Sequence, residues 1–210
     1  VVTGVQTCAL PIYSTVTGGY DRYNYKITSE KLPLSAYKLG FDINQSYFKA
    51  HFNYYLSSKH TVEFGLNSIY YLLHPGSYLP VGDKSLVLPD VVDAEQGLES
   101  ALYVSDRFTI SPSLSLDAGI RFSLFSSMGP QNINIYPPGL PRTEGNIQGT
   151  TAYSKGKFIK TYGGPEFRAS LRYALSESFS VKAGYNTLRQ YIHSLSNTAA
   201  MAPTDIWKLS

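Results

Sequence analysis

Leu114-Ser-Leu-Asp-Ala-Gly-Ile-Arg-Phe-Ser-Leu124 alternates without a break: Leu114, Leu116, Ala118, Ile120, Phe122 and Leu124 are apolar, and Ser115, Asp117, Gly119, Arg121 and Ser123 stand between them. Successive side chains on a strand point to opposite faces, so this stretch reads as a strand with one apolar and one polar face. Upstream of the turn Ser111-Pro-Ser113 the pattern repeats, with Leu102, Val104, Phe108 and Ile110 set against Ser105, Arg107 and Thr109; Asp106 is the exception on the apolar face. Serine and proline turn the chain between alternating runs, which is the sequence form of a β-hairpin.

Two more hairpins have the same design. Around Ser176-Glu-Ser178, Phe167, Ala169, Leu171, Tyr173 and Leu175 oppose Glu166, Arg168, Ser170 and Arg172; after the turn Phe179, Val181, Ala183 and Tyr185 oppose Ser180, Lys182, Gly184 and Asn186. Around Ser57-Ser-Lys59, the apolar set is Phe48, Ala50, Phe52, Tyr54 and Leu56, then Val62, Phe64 and Leu66. Its other face carries Lys49, His51, Asn53, Thr61, Glu63 and Asn67. Residues 18–27 and 36–44 read as two further strands separated by Leu32-Pro-Leu34. The apolar parity switches between Ile43 and Phe48, which calls for a bulge or a separate turn; a bulge within one long strand is the expectation, giving seven strands.

Composition agrees with strands. The 210 residues include 18 Tyr and 10 Phe, and aromatic residues favour a pleated, half-buried surface. No run of about 18 apolar residues exists, so no helix of the sequence crosses a membrane; the mean hydropathy of -0.15 leaves a transmembrane barrel open, because lipid-facing and lumen-facing residues average out. The net charge of +3 comes from scattered residues, without the clustered Lys/Arg stripe of a nucleic-acid-binding protein.

Alternation alone fits a soluble sandwich and a membrane barrel equally. Connection lengths separate them: very short turns alternate with Pro- and Gly-rich stretches over residues 72–97 and 127–164, whereas compact soluble domains seldom carry two such loops. In outer-membrane barrels the short turns are periplasmic and the long loops extracellular. Tyr54 with Tyr55, and Tyr70 with Tyr71, suit interfacial girdles near strand ends.

The block from Gln96 to Phe125, together with Arg189-Gln-Tyr-Ile-His-Ser-Leu-Ser-Asn-Thr198 and Pro203-Thr-Asp-Ile-Trp-Lys-Leu209, resembles the barrel of TonB-dependent outer-membrane receptors, especially those of the Bacteroidetes type. The resemblance covers essentially everything after Tyr13. It implies an all-β fold, an incomplete antiparallel transmembrane β-barrel segment, in a receptor whose 22 strands close around an N-terminal plug. Such a receptor takes up a scarce nutrient (an iron chelate, a cobalamin or a glycan) with energy delivered through TonB. The plug and its TonB-contacting segment are expected outside this chain, and outer-membrane lipid is the expected surrounding. A passive porin-like barrel and a soluble all-β binding module are the rival readings.

The resemblance carries over no ligand residue, and the residues show no catalytic, cofactor-binding or metal-binding set. His51, His60, His74 and His193 lack metal-ligand spacing. No nucleophile elbow, P-loop or dinucleotide motif is present, and no catalytic activity is expected. Asp83, Asp90, Asp93, Glu95 and Glu99 make one long loop acidic, and Lys155, Lys157 and Lys160 make the next basic; each reads as a solvated loop or a ligand contact. Arg107, Arg121, Arg168, Arg172 and Lys182 are expected to line the lumen.

Residues 1–12 stand apart. Val2-Thr-Gly-Val-Gln-Thr-Cys-Ala-Leu-Pro-Ile12 matches one reading frame of a common short-read sequencing adapter, so these residues, with the lone Cys8, are expected to be non-native, and residues 13–210 to be the receptor piece. The plainer alternative is a short strand containing a cysteine.

Overall fold

The turns at residues 56–59, 112–113 and 177–178 each close a pair of long strands. In the first, the Ser57 hydroxyl accepts the backbone N–H groups of Lys59 and His60 at 3.2 and 3.1 Å, a short polar side chain replacing ladder partners in the bend. The computed structural model describes residues 11–195 and 206–209. The strands are β1 (Ile12–Ser29), β2 (Tyr37–Tyr55), β3 (His60–Pro80), β4 (Asp90–Val91), β5 (Glu95–Ser111), β6 (Leu114–Met128), β7 (Gln131–Ile135), β8 (Gly149–Tyr153), β9 (Phe158–Ser176), β10 (Phe179–Asn186), β11 (Ile192–Leu195) and β12 (Ile206–Leu209).

Seven of these form one antiparallel path, β1-β2-β3-β5-β6-β9-β10, with β4 added beside β3. Each strand pairs with the next long strand in the chain, as in an up-and-down barrel wall, and the all-β, seven-strand expectation holds. The long connections contain more structure than the sequence indicated. The stretch read as a loop over residues 72–97 is mostly strand, since β3 runs to Pro80 and β5 begins at Glu95. The stretch over residues 127–164 carries its own hairpin, β7-β8, before β9 begins at Phe158. Of residues 1–12, only Pro11 and Ile12 are described: the Pro11 carbonyl accepts the Tyr55 N–H at 2.7 Å and Ile12 opens β1. The rest of that stretch, including Cys8, lies outside the described residues, as do residues 196–205 of the quoted C-terminal blocks.

Burial is inverted relative to a soluble sandwich. Ile120, Phe122 and Leu124 are 44, 49 and 42% exposed, whereas Ser123 between them is 0% exposed. Register carries the same pattern across the sheet: Ala50, Leu66, Leu102 and Phe122 form one outward row, and Lys49, Asn67, Ala101 and Ser123 the inward row beside it. A sheet with its apolar side chains outside and its hydroxyls and carboxylates inside is stable only where the outer surroundings are apolar. From Leu114 to Leu124, steps of about 3.4 Å on a strand tilted by about 40° climb roughly 26 Å, which matches the apolar band of a membrane barrel. The strands outrun that band, with 21 residues in β3 and 19 in β2 and β9. Since about 9–11 residues span a bilayer, each long strand continues past the lipid at the end bearing the long loops.

This continuation corrects the expected bulge. Between Ile43 and Phe48 the pairing of β2 with both neighbours is unbroken, so no bulge lies there. The register shift falls higher, where Pro75 and Gly76 of β3 stand opposite Phe41 alone, a place suited to a residue lacking a ladder N–H. The parity switches because the environment does. Within the band apolar side chains face out; beyond it, Ile43, Leu73, Tyr71 and Phe125 face inward, where Tyr191 and Leu209 pack against them as one buried cluster. The tyrosine pairs divide the same way. Tyr54 and Tyr70 face outward and Tyr55 and Tyr71 inward, so one member of each pair occupies a girdle position.

Outside the band the outward face of β1 and β2 becomes polar. The Asp42 carboxylate accepts from Arg22 Nε (2.7 Å), Asn24 Nδ2 (3.2 Å) and Asn44 Nδ2, and His74 Nδ1 lies 3.7 Å away. Partial burial by itself would raise this carboxyl, but those hydrogen bonds and the Arg22 charge together hold it below the ordinary carboxylate range. A depressed folded-state pKa stabilises at pH above the unfolded value of about 4, and that contribution is lost as pH falls through the folded value. The acid limb of the unfolding midpoint plotted against pH is therefore expected to be shallower in Asp42→Asn than in the parent, and equal slopes would show that the cluster contributes nothing.

Inward glycines make room for large neighbours. A Cβ on Gly19 would strike the Tyr47 ring, one on Gly97 the Phe125 ring, and one on Gly65 the Ala50 carbonyl and, at 2.7 Å, the Tyr103 hydroxyl. In each pair the later strand's aromatic lies across the earlier strand's glycine. Gly65→Val is expected to cost about 1–3 kcal/mol through overpacking, whereas Gly76→Ala, with nothing within 4 Å of its Cβ, changes stability by less than about 1 kcal/mol. Urea unfolding in detergent micelles compares the two, and equal costs would dismiss the steric account.

Candidate functional site

The inward face is built by the odd-numbered residues of β2, β3, β5 and β6 and the even-numbered ones of β9 and β10, because these share rows in the register. Its middle row runs His51, Gly65, Tyr103, Arg121, Glu166. Tyr103 reaches over Gly65 so that its hydroxyl lies 2.8 Å from His51 Nδ1, and Asn53 Nδ2 lies 3.1 Å from His51 Nε2. Arg121 stands between two carboxylates, with Nη2 at 3.1 Å from Glu99 Oε1 and Nε at 3.6 Å from Glu166 Oε2. Glu166 is buried at 6% exposure and accepts the Ser123 hydroxyl at 2.6 Å. The Tyr191 hydroxyl lies 2.8 Å from the same Ser123 oxygen. Its ring stacks on Phe125 at 5.1 Å, bringing the segment after β10 into the interior.

Nearer the turns a second charged tier crosses the wall. Arg107 pairs with Asp117 at 3.0 Å and Glu63 at 3.6 Å, and Arg168 pairs with Glu63 at 3.7 Å while donating to the Ser105 hydroxyl at 2.9 Å. Arg172 and Lys182 face each other in the register on the same inner face. All five cations expected in the lumen therefore lie on the inward wall. Arg121, Arg168 and Lys182 are among the side chains that bound a concavity of about 750 Å³, in which Lys49, Arg121, Arg168, Lys182 and Arg189 outnumber Glu63, Asp117 and Glu166. The surplus positive charge on this concave wall attracts anions.

The other candidate residues do not converge. The acidic loop is divided: Asp83, Asp90 and Asp93 are exposed, while Glu95 and Glu99 belong to β5 and face inward. Glu95 accepts the Leu209 backbone N–H at 2.8 Å, so it anchors β12. Lys155, Lys157 and Lys160 are exposed at the loop end, and Lys160 sits 5.9 Å over the Tyr162 ring. His60 and Asp106 explain each other. Both face outward, 2.7 Å apart, with the His60 ring stacked on Phe108 at 4.3 Å, so the exception on the apolar face has a partner. His193 lies in β11 with its side chain exposed. Among the described residues no three side chains of metal-ligating type converge. Tyr103 sits at a polar-face position of β5, which marks it as inward, whereas Tyr191 follows β10, where no period of two assigns it a face.

An apolar outer band, a charged inner wall and sequentially paired long strands define a membrane β-barrel wall. The family model described as TonB dependent receptor-like, beta-barrel matches residues 9–201, and the chain belongs to that family of outer-membrane receptor barrels. Among solved structures, the closed form of the ferric-catecholate import receptor Fiu from E. coli K12 is similar at 15% identity and a TM-score of 0.44. That match covers 90% of this chain and 32% of the receptor, so the chain spans about a third of its length. No curated protein matches.

Proposed function

We propose that this chain forms part of the wall of a receptor that imports a scarce nutrient across the bacterial outer membrane by TonB-dependent transport. Membership of the receptor-barrel family is the observation that carries the reading, and the inverted burial of Ile120, Phe122 and Ser123 supports it independently. In this reading the lipid-facing side chains hold the wall in the bilayer, and the paired charges of Glu63, Arg107, Asp117 and Arg168 offer a plug domain a polar docking wall. The surplus of cations around Arg121 favours a ligand of net negative charge, a property that an iron chelate can have and a neutral glycan lacks. The wall's work is passage and not catalysis. The non-native reading of residues 1–12 belongs to the same proposal, and sequencing the source gene across that end tests it.

The deciding experiment deletes the gene that carries this chain, restores it, and measures growth on a negatively charged iron chelate, a cobalamin or a neutral glycan as the limiting nutrient. Growth restored on one of them, and lost again when tonB is removed, is the expected result. Restoration that persists without TonB would mean a passive porin. Recovery of the gene product as a soluble monomer without detergent would mean a soluble binding module.

A further inference from the structure

Every outward-facing lysine or arginine of the seven-strand sheet lies on two strands: Arg22 and Lys26 on β1 and Lys38 on β2. His74 adds a titratable group beside them on β3, and Asp42 is the outward carboxylate among them. The rows that continue across β5, β6 and β9 are uncharged, with Leu98, Ser126 and Thr161 in one and Gln96, Met128 and Phe158 in the next. Within the strand ladder, outward Lys and Arg are therefore confined to β1 and β2; the rows of Lys26 and Lys38 reach β3 but not β5, and the exposed Lys84, Lys155 and Lys157 stand in loops.

We propose that the outward face of β1–β3, just beyond the apolar band, docks the phosphate-bearing headgroup of a membrane lipid in the leaflet at the long-loop end. The inference rests on the membrane-barrel reading above and adds an interaction site to it. Along β1 the outward residues run Val16, Gly18, Tyr20, Arg22, Asn24, Lys26, so an apolar surface passes through an interfacial tyrosine into cations, the order in which a lipid presents acyl chain, glycerol or sugar, and phosphate. Val16 is 65% exposed and Phe48 on β2 is 46% exposed, which leaves a surface for an acyl chain directly below the charges.

Lys26 pairs in register with Gly40 and Lys38 with Thr28, so the two lysines are diagonal neighbours, close enough for both ammonium groups to reach one phosphate. Among the described residues neither has an ion-pair partner. Arg22 is different: Asp42 takes its Nε and Nη2, which holds the guanidinium flat on the wall with its remaining N–H groups directed away from the carboxylate. Tyr20, whose hydroxyl donates to Asn44 at 2.6 Å, and Asn24 supply the polar contacts a sugar or glycerol needs. An acidic soluble protein would meet the same charges but would have no use for the apolar surface beneath them. Continuity of the patch with the lipid band is what favours a lipid.

The test uses the full receptor that carries this chain, reconstituted in phosphatidylcholine vesicles doped with a bis-phosphorylated, acylated glucosamine lipid or with the same lipid dephosphorylated. Lipid retained on extraction is counted by native mass spectrometry, and insertion is read from heat-modifiable gel mobility. Each basic side chain beside an anionic group counts for about a factor of five, so Lys26→Gln with Lys38→Gln is expected to weaken retention of the phosphorylated lipid about thirtyfold. The dephosphorylated lipid is expected to be indifferent to the change. Both substitutions lie outside the Arg22–Asp42 knot, so the variant folds if the parent does. Equal retention by parent and variant, or displacement of the lipid by inorganic phosphate alone, overturns the inference while leaving the barrel reading intact. Failure of the parent to insert overturns the barrel reading itself.

Discussion

Ile120→Arg is expected to destabilise the barrel by about 2–4 kcal/mol in phospholipid, because the side chain leaves the outward face near the middle of the apolar band and a guanidinium there must be buried in lipid or drag water with it. The same replacement at a surface position of a soluble sheet would alter stability by about 0.5 kcal/mol, since Ile120 is 44% exposed. Few single substitutions separate the two environments so widely. Urea unfolding in vesicles gives the number, with the inward Asn67→Arg as the comparison, for which a change under about 1 kcal/mol is expected because lumen charges remain hydrated. A cost for Ile120→Arg no greater than that for Asn67→Arg would end the membrane assignment of this face.

The neighbouring position should behave in the opposite sense. Arg121 points inward, 3.1 Å from Glu99 and 3.6 Å from Glu166, and Glu166 retains only 7% of its side-chain exposure. Arg121→Ala leaves two carboxylates facing each other with their shared cation gone, and breaking a buried pair from one side costs about 3–5 kcal/mol. The figure belongs to the unpaired carboxylates more than to the lost attraction. Adding Glu99→Gln and Glu166→Gln to Arg121→Ala is therefore expected to restore more than half of the loss, again by urea unfolding. A triple variant no more stable than Arg121→Ala would mean that the arginine acts by packing its stem and not by its charge.

Much of the wall was legible in the residues. The three turns, the strands flanking them and the membership of each face follow from a period of two, because a strand's pleat assigns alternate side chains to opposite sides without any knowledge of neighbours. The five inward cations were placed correctly for the same reason. The acidic cluster was not: Glu95 and Glu99 lie near Asp90 and Asp93 in the chain, but β5 begins between them and turns the glutamates toward the lumen. Nearness in sequence does not survive the start of a strand.

The parity switch in β2 marks the boundary between the two kinds of knowledge. Residues 43–48 change which face is apolar, and chain-local reasoning offers a bulge because it assumes that the apolar face always faces the same way. The fold supplies a different cause, an unbroken strand leaving lipid for water, with Tyr191 and Leu209 arriving from far along the chain to cover Ile43 and Leu73 from inside. Periodicity is a property of one strand and can be read from its residues alone. Which side of that strand is dry depends on what stands opposite, and residues 114 apart in the chain, such as Glu95 and Leu209, whose carboxylate and backbone N–H meet, come together only when the sheet has curved and its loops have folded back.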